Sequence, residues 1–239
     1  CIRDRTMLVG GLIIGIIAAV LLHLGNPGNM GLCIACFWRD IAGALGLSQG
    51  PAYIRPEILG IVLGAFIMSI IGKDFKSRGG SSPLIRFTLG AFMAIGALIF
   101  LGCPFRMILR LANGDLNALV ALAGFIVGIL IGIYFLKRGF SLGRNYKQVK
   151  IAAYIVPAFA IMLLIFALVG PDFITRSAEG PGAMSAPILA SLAGGLVVGA
   201  ILQRTRLCSA AAFRDVFMIK NAHYLYGIIG IFVGALVFN

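Results

Sequence analysis

Seven long apolar stretches decide what this chain can fold into. They cover residues 6–24, 56–71, 84–101, 116–135, 151–169, 187–202 and 224–238. A helix needs about 20 apolar residues, within a range of about 17–25, to cross the hydrocarbon core of a bilayer. Only 12% of the 239 residues are charged, whereas a soluble domain carries about 25%. These features exclude a soluble enzyme and a disordered chain, and they predict an all-α polytopic membrane protein with one transmembrane domain over residues 1–239.

Three short apolar pieces lie between these stretches, at residues 32–45, 103–111 and 207–219. Each piece has a cysteine near its start and contains at least one arginine. Apolar helices too short to span are typical of re-entrant segments. Because non-spanning backbone persists at membrane depth only against protein or a water-filled cavity, we expect these cysteine-bearing helices to line a site.

Basic residues outnumber acidic ones by 20 to 8, which gives a formal net charge of +12. The loop at 137–150 carries five basic residues and no acid, and the loop at 73–78 carries three basic residues and one acid. The positive-inside rule therefore predicts that both loops and the N-terminus lie in the cytoplasm, in a multi-pass protein of the inner or plasma membrane. A basic vestibule that attracts an anion is a second interpretation of the same charge.

Two of the short pieces share one sequence pattern. Residues 32–40 and 207–215 both read Leu-Cys-x5-Arg-Asp, and the span before each contains Gly-x3-Gly. The number of spans between the two copies makes them antiparallel in the membrane. The sequence therefore predicts an inverted repeat, with a first copy at 6–138 and an incomplete second copy at 151–239. In transporters with inverted repeats, the substrate site lies near the midplane at the repeat interface.

Thiols and a guanidinium group occur at the starts of the short pieces. We expect a substrate-binding relay made of Cys33, Cys36, Cys103, Cys208 and Arg106. Cys33 and Cys36 share one face of a helix, as do Cys103 and Arg106. A polarisable thiol matches a soft sulfur or selenium anion, and arginine supplies the opposite charge. The alternative for each cysteine is the role of a small buried hydrophobe.

Charged pairs follow two of these cysteines. Arg39 and Asp40 follow Cys33, and Arg214 and Asp215 follow Cys208. We expect structural ion pairs that join the two copies across a pseudo-twofold axis. Contact with the substrate is the alternative, since charges inside a membrane are energetically costly and often functional.

Glycines repeat at helical spacing in three of the spans. The stripes are Gly11 and Gly15, Gly60 and Gly64, and Gly124, Gly128 and Gly132. Small residues four apart allow helices to approach closely in a membrane. We therefore expect close helix contacts at all three stripes.

On these motifs the sequence resembles the YeeE/YedE family of membrane proteins. The matching features are the Gly-x3-Gly helix that leads to a cysteine-bearing short helix, the repeated Cys-x5-Arg-Asp, and the Gly-Cys-Pro-x-Arg turn at 102–106. The resemblance implies an hourglass-shaped protein that takes up thiosulfate or a related sulfur species, with Cys33, Cys103 and Cys208 as the thiols of its waist. It also implies a small cytoplasmic sulfur-carrier partner of the TusA type.

Two details qualify the resemblance. The Cys-x2-Cys pattern at 33–36 is similar to that of the YedE branch of the family. This similarity implies a selenium compound as an alternative substrate. The second copy lacks its own Gly-Cys-Pro turn, and we expect that turn beyond Asn239.

Three functions remain open on the sequence alone. The first is an importer of a small sulfur or selenium anion that is not an enzyme. The second is a membrane thiol-disulfide oxidoreductase that uses Cys33 and Cys36, and the third is a general anion channel with structural cysteines. No Gly-x4-Gly-Lys-Ser/Thr loop is present, and no metal, other cofactor or nucleic-acid partner is expected.

Overall fold

The computed structural model describes residues 2–100 and 102–238, with side chains from residue 4 onward. Cys1, and the expected end of the third span at Leu101, lie outside the described residues. The α-helices are α1 (Ile2–His23), α2 (Ile34–Ala44), α3 (Pro56–Ile71), α4 (Pro83–Ile99), α5 (Pro104–Ala112), α6 (Asn117–Lys137), α7 (Ile155–Val169), α8 (Ile188–Thr205), α9 (Ser209–Ile219) and α10 (His223–Val237). Two short strands, β1 (Arg78–Gly80) and β2 (Asn145–Lys147), and 3₁₀ turns at Lys150–Tyr154 and Gly180–Gly182 complete the described elements.

The helices confirm the prediction of an all-α polytopic membrane protein. The stretches long and apolar enough to cross a bilayer are Asp4–His23, Pro83–Ala112, Asn117–Lys137, Lys150–Val169 and Ile188–Ile219. Two of these stretches contain a long helix followed by a short one, namely α4 with α5 and α8 with α9. The apolar helices α3 and α10 have only 16 and 15 residues, so they extend for about 22–24 Å at 1.5 Å per residue.

Proline marks the start of three helices. Pro56, Pro83 and Pro104 occupy the first turns of α3, α4 and α5. The missing N–H of proline removes no helical hydrogen bond at that position, and its fixed φ suits the first turn. These residues therefore set where the helices begin, including the short helix α5.

Helices α1 and α10 pack through their backbones. A Cβ atom on Gly11 would lie 2.0 Å from the carbonyl oxygen of Gly227, and one on Gly15 would lie 2.3 Å from that of Ile231. No side chain fits in such a space, so only glycine permits this approach. The expected close contact at the first glycine stripe is confirmed.

Helices α3 and α8 pack in the same way. A Cβ atom on Gly195 would lie 2.3 Å from the carbonyl oxygen of Glu57, and one on Gly199 would lie 2.1 Å from that of Ile61. Cβ atoms on Gly60 and Gly64 would also collide with the backbone of α8. The second glycine stripe is therefore confirmed, and the α1–α10 and α3–α8 pairs use glycines at the same spacing.

The third glycine stripe was predicted wrongly. Cβ atoms on Gly124, Gly128 and Gly132 would meet no atom within 4 Å. In α6 only Ala118 and Ile133 are buried, and every residue of α4 is at least partly exposed. Apolar helices with this exposure present their side chains to lipid in a membrane.

Strands β1 and β2 pair antiparallel, with Arg78 opposite Lys147. The sequence did not predict these strands. They join the two basic loops, at 73–78 and 137–150, into one small sheet. Both basic loops therefore lie at the same end of the helices.

Candidate functional site

Each of the three short helices begins directly after a cysteine. Cys33 precedes α2, Cys103 precedes α5 and Cys208 precedes α9, and all three have extended backbone. The Sγ atom of Cys33 also accepts a hydrogen bond from the backbone N–H of Cys36 at 3.4 Å. The first N–H groups of a helix lack helical partners and carry partial positive charge. The three thiols thus lie at the positive ends of their helices.

Two of these helix starts meet inside the protein. The Sγ atoms of Cys33 and Cys103 lie 3.9 Å apart, and these side chains are 0% and 9% exposed. Both are free thiols, because a disulfide would bring the sulfurs to about 2.05 Å. Two segments 70 residues apart in the chain therefore form one thiol contact.

A guanidinium group lies against the third thiol. Arg106 donates from Nη1 to the Sγ atom of Cys36 at 3.3 Å and from Nε to the carbonyl oxygen of Asn29 at 3.3 Å. Cys36 is buried. We call Cys33, Cys36, Cys103 and Arg106 the thiol cluster. It combines polarisable sulfur with a permanent positive charge, which suits a small soft anion.

The turn before α5 depends on a glycine. Gly102 has a φ of +149°, which side-chain-bearing residues rarely adopt, and a Cβ atom there would lie 2.6 Å from Cδ of Arg106. Gly102 thus lets the chain turn sharply into α5 while the Arg106 side chain crosses over it. In the Gly-Cys-Pro-x-Arg pattern, the glycine therefore permits the turn, and the arginine packs over that glycine.

A narrow cleft lies beside the thiol cluster. Its lining includes Gly102, Cys103, Arg106 and Arg110, and it is too narrow for a water molecule. Arg110 also pairs with Asp115 at 2.6 Å. The hydrogen bond from this guanidinium lowers the pKa of the Asp115 carboxyl below its usual value. Of the two basic side chains that line the cleft, Arg106 therefore contacts a thiol, whereas Arg110 forms an ion pair with Asp115.

The ion pair that follows Cys33 in the chain belongs to a three-residue cluster. Asp40 is fully buried, and its Oδ1 lies 2.9 Å from Nη2 of the adjacent Arg39. Its Oδ2 lies 2.9 Å from Nη2 of Arg55, which is also fully buried. Asp40 thus pairs with Arg39 and Arg55, and Arg214 pairs with Asp215. The described ion pairs therefore do not join the two Arg-Asp motifs as expected, and the sequence did not single out Arg55.

Arg55 connects α2 to the distant 170–187 loop. Its Nη1 donates to the carbonyl oxygen of Met184 at 2.9 Å and its Nη2 to that of Pro181 at 2.7 Å. The guanidinium carbon also lies 4.8 Å from the ring centre of Phe37 and 5.0 Å from that of Tyr53. With all these contacts, the buried positive charge is well compensated.

The segment around Cys208 is more open. Arg214 pairs with Asp215 at 2.8 Å, and Cys208 is exposed at the start of α9. Cys208 lies outside the thiol cluster. A cavity of about 330 Å³ lies near this helix, and its lining includes Asp215, Arg206 and His223.

Arg55, Asn29 and Glu57 make polar contacts that the sequence did not predict. Arg55 and Asn29 lie in loops, where the sequence gives no signal of these contacts. Glu57 is fully buried in α3, and it could have been noticed as the single acid inside an apolar span. Its oxygen Oε1 accepts hydrogen bonds from Asn26 and Ser191.

A comparison with known protein families identifies a match for this chain. A family model described as sulphur transport matches residues 3–131, more than half of the chain. The matched region contains Cys33, Cys36, Cys103 and Arg106, whereas Cys208 lies outside it. Searches of curated proteins and of solved structures found no significant match. The chain is a multi-pass membrane protein that belongs to the sulphur transport family, also known as the YeeE/YedE family.

Proposed function

We propose that this protein imports a small sulfur-containing anion, with thiosulfate as the preferred substrate and a selenium compound as the alternative. The thiol cluster carries the proposal, because three buried thiols and one guanidinium converge at the starts of two short helices. Membership of a sulphur transport family supports the same conclusion.

The chemistry of the cluster suits passage without covalent change. The terminal sulfur of thiosulfate is large and polarisable, and it accepts weak hydrogen bonds from S–H groups of Cys33 and Cys103. Arg106 offsets the negative charge while the anion loses its water. No bond in the substrate breaks, so the protein acts as a transporter and not as an enzyme.

The proposed path continues through the second copy. Cys208 occupies the same motif position as Cys33, and we assign it to the inner half of the path. The matching glycine contacts of the α1–α10 and α3–α8 pairs support an inverted repeat. In this arrangement α2 and α5 enter from outside and α9 from inside, all as re-entrant helices.

The proposed setting is the inner or plasma membrane with the N-terminus in the cytoplasm. The pairing of β1 with β2 supports this topology, since it joins the two most basic loops at one end of the molecule. A TusA-like sulfur carrier that accepts the imported sulfur in the cytoplasm is part of the proposal.

Uptake in cells tests this function. Cells without other sulfur importers should grow on thiosulfate when they express this protein, and unlabelled thiosulfate should compete for uptake better than sulfate does. Comparison with selenite decides between the two substrates. Undiminished uptake by a Cys103→Ala, Cys208→Ala double variant would refute the thiol relay.

One observation favours a second candidate, a thiol-disulfide oxidoreductase. The 3.9 Å contact joins Cys33 to Cys103, so these two thiols could exchange with an external disulfide. Titration of free thiols under oxidising and reducing conditions discriminates between the candidates. A reversible loss of two thiols would support the oxidoreductase, and an unchanged count would exclude it.

A further inference from the structure

Glu57 is a fully buried carboxyl group with uneven hydrogen bonding. Its Oε1 accepts from Nδ2 of Asn26 at 3.0 Å and from Oγ of Ser191 at 2.8 Å. Its Oε2 has no hydrogen-bond partner among the described residues. Both donors are neutral and both are themselves buried.

The charged groups around Glu57 do not neutralise it. Arg55 is the cation nearest in sequence, and it is bound to Asp40 and to two carbonyl oxygens. The sequence of α7 contains no titratable side chain, and in α8 the only one is Arg204, in the last turn of the helix. On α2 the ionisable groups are Cys36, Arg39 and Asp40, which are engaged with one another or with Arg106 and Arg55.

An isolated carboxylate in such a place is energetically costly. Burial of an ionised carboxylate without a nearby cation is unfavourable, and a bound proton removes that cost. Donors on one oxygen alone suit a neutral acid, whose carbonyl oxygen accepts while its other oxygen carries the proton. Intramembrane acids of this kind mark proton pathways in transporters.

We propose that Glu57 is a proton-binding site that couples proton entry to import of the anion, an inference that rests on the proposed function. A proton from outside forms an O–H bond at Oε2, and that bond breaks when the proton leaves toward the cytoplasm. No electrons move. Protons that accompany a divalent anion reduce the charge that must cross against an inside-negative potential.

Asn26 links this carboxyl to the thiol cluster. Its Nδ2 also contacts the carbonyl oxygen of Gly31 at 3.2 Å, and its Oδ1 accepts from the backbone N–H of Ala186 at 3.0 Å. The segment that follows contains Asn29, which accepts from Arg106, and it ends at Cys33. A change of charge on Glu57 therefore acts on the segment that positions the cluster.

Reconstituted vesicles provide the test. Wild-type protein should take up labelled thiosulfate severalfold faster when the outside is more acidic than the lumen, and thiosulfate should acidify the lumen. Glu57→Gln keeps an acceptor for Asn26 and Ser191 but cannot bind the proton, so its uptake should not respond to the gradient. Glu57→Asp should retain the response, and the exposed Glu179→Gln serves as the matched control.

The outcomes separate this inference from the proposed function. Wild-type uptake without a gradient response or lumenal acidification overturns the proton site and leaves the importer intact. An equal response in Glu57→Gln also overturns it. A wild type that takes up no thiosulfate instead refutes the importer.

An infrared measurement does not depend on transport. The carbonyl stretch of a protonated carboxyl group should be present in wild type and reduced in Glu57→Gln. Identical spectra would contradict the assignment even if the variant were inactive.

Discussion

The Sγ atoms of Cys33 and Cys103 lie 3.9 Å apart at the starts of two different short helices. Helix α2 follows Cys33 and helix α5 follows Cys103, so this one distance reports how the two helices are placed. Arg106 extends the contact to Cys36. The site therefore depends on tertiary packing, and the following changes test separate parts of it.

Replacement of Arg106 should weaken substrate binding. Arg106→Gln removes the charge, whereas Arg106→Lys keeps it but loses the fork that contacts both Cys36 and Asn29. We expect the KM for thiosulfate to rise by about tenfold or more in Arg106→Gln, equivalent to about 1.4 kcal/mol, and by less in Arg106→Lys. Uptake kinetics provide the measurement. The exposed Arg86→Gln is the control, and an equal effect there would contradict a local role.

Gly102→Ala should destabilise the protein. The added Cβ atom meets Arg106 Cδ at 2.6 Å and requires a φ of +149°, a strain of about 1–3 kcal/mol. Thermal unfolding in detergent should show a lower midpoint. Gly124→Ala is the matched control, because its Cβ atom meets nothing within 4 Å and alanine is favoured in a helix by about 1 kcal/mol. Equal midpoints for the two variants would show that the turn is not strained.

Loss of Arg55 should be far more damaging than loss of Arg39. Both contact Asp40, but Arg55 is fully buried while the Arg39 side chain is 34% exposed. Removal of one partner from a buried pair costs about 3–5 kcal/mol, and an exposed pair contributes about 1 kcal/mol or less. Unfolding midpoints of Arg55→Gln and Arg39→Gln compare the two, and the reverse order would contradict the structure.

The Arg110–Asp115 pair should be visible in a pH titration. Because the pKa of Asp115 is lowered by Arg110, the pair contributes stability above the carboxyl's unfolded pKa and loses it as pH falls through the folded pKa. Carbon NMR of labelled aspartate should give a midpoint for Asp115 below its ordinary value. In Arg110→Gln the titration midpoint of Asp115 should rise toward its ordinary value. An unchanged midpoint would exclude the ion pair as the cause of the lowered pKa.

Much of the helical layout could be predicted because it depends on local properties. The length of the apolar stretch at 56–71 and the proline in its first turn predicted α3 with the ends that the structure has. The short pieces at 32–45 and 207–219 correspond to α2 and α9. Cys103 and Arg106, which were predicted to share a helix face, both line the narrow cleft, and the side chain of Arg106 contacts Cys36.

Other features depend on contacts between remote segments. Arg55 reads as a loop charge, yet its partners include Asp40, Pro181 and Met184. The glycine stripe of α6 has the same spacing as that of α1, but no helix packs against it among the described residues. Spacing alone indicates that a helix could approach, and only the fold decides whether one does.

Thiosulfate uptake by purified protein in vesicles tests the central claim most directly. The account predicts that wild-type protein transports thiosulfate in preference to sulfate, and that Cys103→Ala lowers this uptake by about tenfold or more, equivalent to about 1.4 kcal/mol of barrier. Wild-type rates in a Cys103→Ala variant that is folded and correctly inserted would contradict a path through the buried thiols.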